Sequence, residues 1–326
     1  MMSLSDADPR AYTTAMGYHT VVAHDISQRN HSIDLLRVVA AFGIVWAHML
    51  MSESYSALLG YTALTVFLIM VPYLSVTRQE RREDRFLAAG EHRPHIRIQR
   101  IIGPWLFWCL VYKLPFAYQQ RDISAIAQLD DPYSLLVGPS IHLWFLPFIL
   151  IASAIFFPIT RAIKSPSALI AATLAAVVVS SAVLYVHDTE AIPQPFAQWA
   201  FAMPPFLFSL LAAHARKFGL GYVPVAIYLG VCTLFLVFGH AYWPFFCMLA
   251  VVVFALAYTS NYKNERFYSL GKLSFGIYLT HPIFMLVWFK FVGPSAHLFI
   301  GAVVVFLLSA ITTTVLLRIP RLSSFV

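Results

Sequence analysis

Ten apolar runs, each about the length of a membrane-spanning helix, follow one another along the chain and are separated by short polar segments. Because backbone N–H and C=O groups in lipid must hydrogen bond within the protein, each run is predicted to be a helix. The sequence therefore predicts an all-α integral membrane protein with about ten transmembrane helices. The runs cover residues 33–51, 58–77, 98–118, 141–160, 167–186, 198–213, 219–239, 241–259, 273–292 and 296–317.

Prolines mark the third and sixth runs as the least regular of the ten. Pro104 and Pro115 lie in the third run, and Pro204 and Pro205 lie in the sixth. Proline removes a backbone donor and disfavours a straight helix, so these two runs are predicted to kink or to break.

Basic residues concentrate in every second polar segment, beginning with the long segment between the second and third runs. The alternate segments are mainly acidic, with Asp130, Asp188 and Glu190 among them. Because lysine and arginine are retained on the cytoplasmic side, both termini are predicted to be cytoplasmic. The resulting organisation is a tail at 1–31, a membrane domain at 32–319 and a second tail at 320–326.

Composition agrees with this interpretation. Of the 326 residues 60% are hydrophobic and 11% are charged, whereas a soluble domain is about one quarter charged. The net charge of +7 follows from the basic segments. Nucleic-acid binding is not predicted, because the sequence shows no continuous basic surface with interleaved aromatic residues. Cys109, Cys232 and Cys247 lie in apolar runs, so they are predicted to be buried hydrophobic side chains and not metal ligands.

The first apolar run is unusual because it carries Asp34, Arg37 and His48. His48 lies eleven positions after Arg37, so at ~100° per residue their side chains face within about 20° of each other, about 16 Å apart along the axis. Asp34 lies on the same face, one turn before Arg37, and is expected to pair with it. Arg37 could be an interfacial anchor and His48 a packed neutral side chain, but ionisable groups within a membrane are functional by default.

Two motifs near the N-terminus resemble those of a known family. In "IDLLRVVAAFGIVWAH", ten residues separate Arg37 from His48, and "RIQRIIGPW" carries Arg97 and Arg100 at the start of the third run. Together with two later motifs, they are similar to the acyltransferase-3 membrane proteins, which O-acylate cell-surface polysaccharides and related carbohydrates. The second run departs from the family pattern, because "VFLIMVPYLSVTRQE" has Val71, Pro72 and Tyr73 where serine and glycine are common.

The two later motifs complete the resemblance, which covers roughly residues 30–318. "IHLWFLPFIL" contains His142 and is similar to a Leu-Trp-Phe-Leu stretch of the family, and "LGKLSFGIYLTHPIF" matches its Ser-x-x-x-Tyr-Leu-x-His-Pro signature at Ser274, Tyr278 and His281. Their spacing of four and three residues places these last three side chains on one helical face. They are candidates for the acceptor path, with His142 at the outer mouth, although helix–helix hydrogen bonding is an equal alternative for the signature residues.

The resemblance implies a co-substrate and no bound cofactor. The donor would be cytoplasmic acyl-CoA, most often acetyl-CoA, and the acceptor a polysaccharide or a lipid-linked sugar. Arginine binds phosphate through forked, charge-assisted hydrogen bonds, so Arg97 and Arg100 are the candidate donor-binding residues. The expected location is the cytoplasmic membrane of a bacterium, where membrane lipids surround the chain.

His48 is the predicted catalytic base. An imidazole titrates near neutral pH, and burial favours its neutral form, which can accept a proton. His48 could instead carry the acyl group as acyl-histidine. Arg37 is predicted to orient the donor or to complete a charge network with Asp34.

Two other classes of function remain open at the level of sequence. A proton-coupled secondary transporter could use His48 as a proton relay, although the sequence shows no paired discontinuous helices. A non-catalytic component of a glycan export system would tolerate replacement of His48.

Overall fold

The computed structural model of the protein describes residues 30–50, 54–88, 99–121, 133–239, 242–260, 262, 264–293 and 297–326. Within those residues every regular element is helical, which confirms the all-α class. The ten long helices are α1 (His31–Leu50), α2 (Ser54–Ala88), α3 (Gln99–Gln120), α4 (Phe145–Thr160), α5 (Pro166–Thr189), α6 (Phe196–Ala215), α7 (Tyr222–Val237), α8 (Tyr242–Ser260), α9 (Glu265–Phe291) and α10 (Leu298–Arg318). Shorter helical segments are Ser134–Val137, Ile141–Trp144, Arg216–Phe218 and Ser323–Phe325.

Each long helix coincides with one of the ten predicted apolar runs. Eight of them are long and apolar enough to cross a membrane among the residues that the structure describes. The other two have shorter apolar stretches, at Ile101–Leu114 in α3 and at Tyr222–Val237 in α7. The chain is therefore a multi-helix membrane protein, with eight helices that meet the length and hydropathy of a span.

Helix α2 extends beyond its apolar run. The run ends near residue 77, but the helix continues to Ala88 and includes the first part of the basic segment. A helical extension of about eleven residues is about 16 Å long, so the first part of the basic segment is helical.

The two proline-rich runs form continuous helices. Helix α3 runs unbroken through Pro104 and Pro115, and helix α6 contains Pro204 and Pro205, both of which are buried. Neighbouring helices can compensate for the backbone hydrogen bonds that proline removes inside a membrane protein. The predicted interruptions are therefore not present.

Helix α1 occupies a central position. It packs against α2, α9 and α10, while α2 also packs against α6 and α8. Helix α6 is the most enclosed helix, with nearly every side chain from Phe201 to Ala215 buried. In contrast, α5 and α10 expose apolar side chains such as Val178 and Ile311, as expected for helices that face lipid.

Candidate functional site

The N-terminal part of α1 carries a buried ion pair. Nη1 of Arg37 lies 3.5 Å from Oδ1 of Asp34, one turn earlier on the helix. The Asp34 side chain is fully buried and that of Arg37 is 13% exposed, so the pair lies within the protein and not at a lipid-facing surface. Removing both charges from water is costly, so this pair is not explained by interfacial anchoring alone.

Helices α1 and α9 approach closely beside this pair. A Cβ atom at Gly271 of α9 would lie 3.0 Å from Cβ of Asp34 and 3.1 Å from its Oδ1. Glycine at this position therefore allows the backbone of α9 to pack directly on the Asp34 side chain.

Hydrogen bonds also join the first residues of these two helices. The backbone N–H of Asn264 donates to Nδ1 of His31 (2.6 Å), and the N–H of His31 donates to the carbonyl of Tyr262 (3.2 Å). Asn264 is also the N-cap of α9, where its side chain accepts from the N–H of Arg266. The two helices therefore start at the same level and run in the same direction from it.

This common start determines which residues meet higher up. His48 lies 17 residues after the start of α1 and His281 lies 16 residues after the start of α9, which is about 26 Å and about 24 Å along the two helices. The ring centroids of His48 and His281 are 5.3 Å apart. Two residues more than 230 positions apart in the chain thus face each other at one depth.

A third imidazole completes a histidine cluster, which we define as His48, His142 and His281. His142 comes from the short helix Ile141–Trp144, and its ring centroid is 5.6 Å from that of His281. His142 and His281 are buried, whereas His48 is half-buried. Within the described residues no group of histidine, cysteine, aspartate or glutamate side chains has the arrangement of a metal site.

The hydrogen bonds of His281 define its protonation pattern. Its Nδ1 lies 2.8 Å from the carbonyl oxygen of Tyr278 and 3.2 Å from that of Ile277. Because a carbonyl oxygen can only accept, Nδ1 must carry the hydrogen and donate it. Nε2 of the neutral ring is then the acceptor nitrogen, and among the described residues it is buried without a hydrogen-bond partner.

His142 is held by its own neighbours. Its Nδ1 lies 2.8 Å from Oγ of Ser140, and its backbone carbonyl accepts a hydrogen bond from the hydroxyl of Tyr278. The ring of Tyr112 in α3 meets the ring of His142 edge-on at 5.1 Å, and the Tyr112 hydroxyl donates to the carbonyl of Leu279 at 2.6 Å. These contacts connect α3, the short helix and α9 around the cluster.

Aromatic side chains form the wall behind Tyr278. Its ring stacks on Phe67 of α2 at a centroid distance of 5.4 Å and meets Phe145 of α4 at 5.6 Å. Both phenylalanines are almost completely buried. This packing fixes the Tyr278 hydroxyl against His142, and it shields the histidine cluster on the side of α2 and α4.

The structure brings together some of the predicted site residues and separates others. His48, His142, Tyr278 and His281 form one group, and Asp34 and Arg37 lie about three turns of α1 below it. Ser274 is buried, but its hydroxyl donates to the carbonyl of Gly271 within α9.

The structure does not describe the side chains of the two arginines that are predicted to bind the donor. Arg97 lies outside the described residues, and Arg100 belongs to the first turn of α3, where only the backbone is described. Ser140 and Tyr112 are site neighbours that the sequence did not suggest. Ser140 could have been noticed from its position two residues before His142, but no pattern in the sequence points to Tyr112.

Comparison with known proteins supports the resemblance of the four motifs. A family model described as an acyltransferase domain, that of the acyltransferase-3 family, matches residues 30–318. No curated protein and no solved structure matches the chain. The matched range begins one residue before α1, ends at the last residue of α10 and so includes every helix that builds the histidine cluster. The chain therefore belongs to the acyltransferase-3 family of membrane proteins.

Proposed function

We propose that the protein transfers an acyl group, with acetyl as the leading candidate, from cytoplasmic acyl-CoA to a hydroxyl group of a polysaccharide or lipid-linked sugar on the outer side of the membrane. The observation that carries this proposal is the pair of imidazoles on α1 and α9, His48 and His281, whose rings are 5.3 Å apart inside a buried cluster. Acyl transfer to a hydroxyl needs a group that accepts the hydroxyl proton, and imidazole does so near neutral pH.

The position of the cluster suits a reaction between two substrates that arrive from opposite sides. The cluster lies about 25 Å from the level where α1 and α9 begin, which is most of the thickness of a hydrocarbon core. A cytoplasmic donor would extend its narrow pantetheine arm along α1, while the acceptor would approach from the side of His142. The buried site limits the access of water, which would otherwise hydrolyse the thioester.

The ion pair of α1 suits the donor side. The Arg37 guanidinium is partly exposed, and its Asp34 partner is completely buried, so the carboxylate holds the guanidinium in one orientation. Because Asp34 balances its charge, Arg37 would act through its oriented N–H groups, which would donate to the phosphates of CoA. Arg97 and Arg100, which the sequence places at the start of the third apolar run, are the further arginines proposed to bind these phosphates.

The test is replacement of His48 in cells that make the protein. His48→Ala is expected to lower acylation of the surface glycan by about 10²–10⁴-fold, since it removes one acid–base group of the cluster. Mass spectrometry of the glycan measures its acyl content, and incorporation of label from radiolabelled acetyl-CoA in membrane vesicles measures transfer directly.

The matched control is His297→Ala, since His297 is an exposed histidine just before α10. That variant is expected to retain the acylation level of the wild type. Full acylation by His48→Ala, in a protein inserted at normal levels, would contradict the proposed role and would favour a non-catalytic component. Normal acylation with no chain present would contradict the proposed function altogether.

A further inference from the structure

Two of the three imidazoles in the histidine cluster, those of His48 and His281, have different surroundings, and this difference separates their roles. His281 is fully buried and is held through Nδ1 by two backbone carbonyls. His48 is half-buried, and its ring contacts the ring of His281. A general base is normally held in one tautomer by a second group, and in this pair only His281 has such a group among the described contacts.

We infer that His281 is the general base that removes the proton from the acceptor hydroxyl, and that His48 protonates the leaving thiolate of CoA. This assignment rests on the proposed function and names the residue for each proton transfer. The evidence is geometric. The hydrogen on Nδ1 of His281 is directed to the carbonyl of Tyr278, so its free lone pair is on Nε2.

Nε2 of His281 also has the surroundings that an acceptor hydroxyl requires. Among the described residues it is buried and makes no hydrogen bond to the protein. Leaving a buried polar atom without a partner is unfavourable, and a substrate hydroxyl that donates to Nε2 would supply the missing hydrogen bond. The neighbouring Tyr278 hydroxyl does not compete for it, because it donates to the carbonyl of His142.

The two imidazoles together account for every proton that moves in the reaction. The O–H bond of the acceptor breaks and its proton moves to Nε2 of His281, while the acceptor oxygen bonds to the carbonyl carbon of the thioester. The C–S bond then breaks, and the thiolate takes a proton from His48, which receives one from His281. The two ring centroids are 5.3 Å apart and Nε2 of His281 makes no hydrogen bond to the protein, so this proton passes between the rings through one water. The products are the ester and CoA thiol, and both imidazoles are again neutral.

The test compares two nucleophiles in membrane vesicles that contain the full chain and its glycan acceptor. The glycan hydroxyl needs a base, whereas hydroxylamine attacks as a free amine and loses its proton only afterwards. The variant is His281→Asn, whose side-chain amide can still donate to the Tyr278 carbonyl but has no atom in place of Nε2. His281→Gln is the second variant.

We expect His281→Asn to lower glycan acylation from acetyl-CoA by about 10²–10⁴-fold, mainly in kcat. Its formation of acetyl hydroxamate above the uncatalysed rate is expected to stay within a few-fold of the wild type. His48→Ala should lose both reactions, because both release the same thiolate.

The matched control is His214→Asn. His214 is also buried and holds its Nδ1 at 2.8 Å from a carbonyl four residues earlier, that of Leu210, but it lies at the end of α6 and not in the cluster. Wild-type glycan acylation by either His281 variant would overturn the assignment, as would equal losses with both nucleophiles. Absence of transfer by the wild type would overturn the proposed function itself. Loss of only the glycan reaction in the His281 variants would support both the proposed function and the assignment of His281.

Discussion

Asp34 and Arg37 illustrate how single residues depart from the rules of a membrane helix. A charged side chain near the end of a span normally extends to the interface, where it costs little. In this protein the carboxylate of Asp34 is completely buried and Gly271 packs against it, so the guanidinium of Arg37 is held by a partner that cannot move away. The guanidinium of Arg37 is therefore preorganised by its partner and is not a flexible anchor.

The two arginines proposed to bind the donor give a further prediction at the scale of single residues. Arg97→Ala combined with Arg100→Ala is expected to weaken acyl-CoA binding by about 10²-fold or more, because two arginines are removed and each hydrogen bond between charged groups contributes about 1.5–3 kcal/mol. Equilibrium binding of radiolabelled acetyl-CoA to the purified protein measures the change.

The control for that experiment is a double variant that removes the same number of charges from the same basic segment. Arg81→Ala combined with Arg82→Ala removes two arginines that positive-inside topology already explains. This second double variant should bind acetyl-CoA as the wild type does. Equal affinity of all three proteins would refute the donor-binding role of Arg97 and Arg100.

At the scale of elements, close packing between helices sets the position of the site. Helices α1 and α2 meet through two reciprocal glycine–alanine contacts. A Cβ at Gly43 of α1 would lie 2.8 Å from Cβ of Ala63, and a Cβ at Gly60 of α2 would lie 2.6 Å from Cβ of Ala47. Small residues at such contacts allow the backbones of membrane helices to approach closely. Ala47 precedes His48, so this contact also supports the imidazole that we propose to be catalytic.

Gly60→Ala is therefore expected to destabilise the protein by about 1–3 kcal/mol, because the added methyl group forces α1 and α2 apart. The thermal unfolding temperature in detergent should fall, and acyl transfer should fall with it because His48 is displaced. Gly230→Ala is the matched control, since a Cβ at that helical glycine of α7 meets nothing within 4 Å. A Gly60→Ala protein as stable as Gly230→Ala would contradict this packing argument.

At the scale of the whole molecule, orientation decides which substrate meets which end of the cluster. The alternation of basic and acidic segments predicts that the connection after α4 is cytoplasmic and that the connection after α5 is external. Lys164 and Glu190 are exposed on these two connections, on either side of α5. The two residues therefore report the two sides of one span.

Single cysteines at these positions test the orientation, in a protein whose three native cysteines are replaced by alanine. In intact cells a membrane-impermeant maleimide is expected to label Glu190→Cys, and to label Lys164→Cys only after the membrane is made permeable. The opposite labelling pattern would invert the direction of transfer proposed here, while leaving the histidine cluster unchanged.

The sequence alone predicts the helices and the identity of most site residues. Hydrophobic length predicts all ten long helices, because a backbone in lipid has few alternatives to a helix. Helical periodicity also predicts that Asp34, Arg37 and His48 share a face, as the structure shows for the ion pair. Proline content in α3 and α6 suggested breaks that are absent, since tertiary contacts override a local preference.

Which faces of different helices meet is decided only by the tertiary structure. Periodicity arranges residues within one helix, but it carries no information about the rotation of α1 against α9 or about the place of the short helix Ile141–Trp144 between α3 and α9. The hydrogen bonds between His31 and the start of α9, and the close approach at Gly271, fix that rotation. For this reason the sequence contains His48, His142 and His281 as separate motifs, and only packing makes them one cluster.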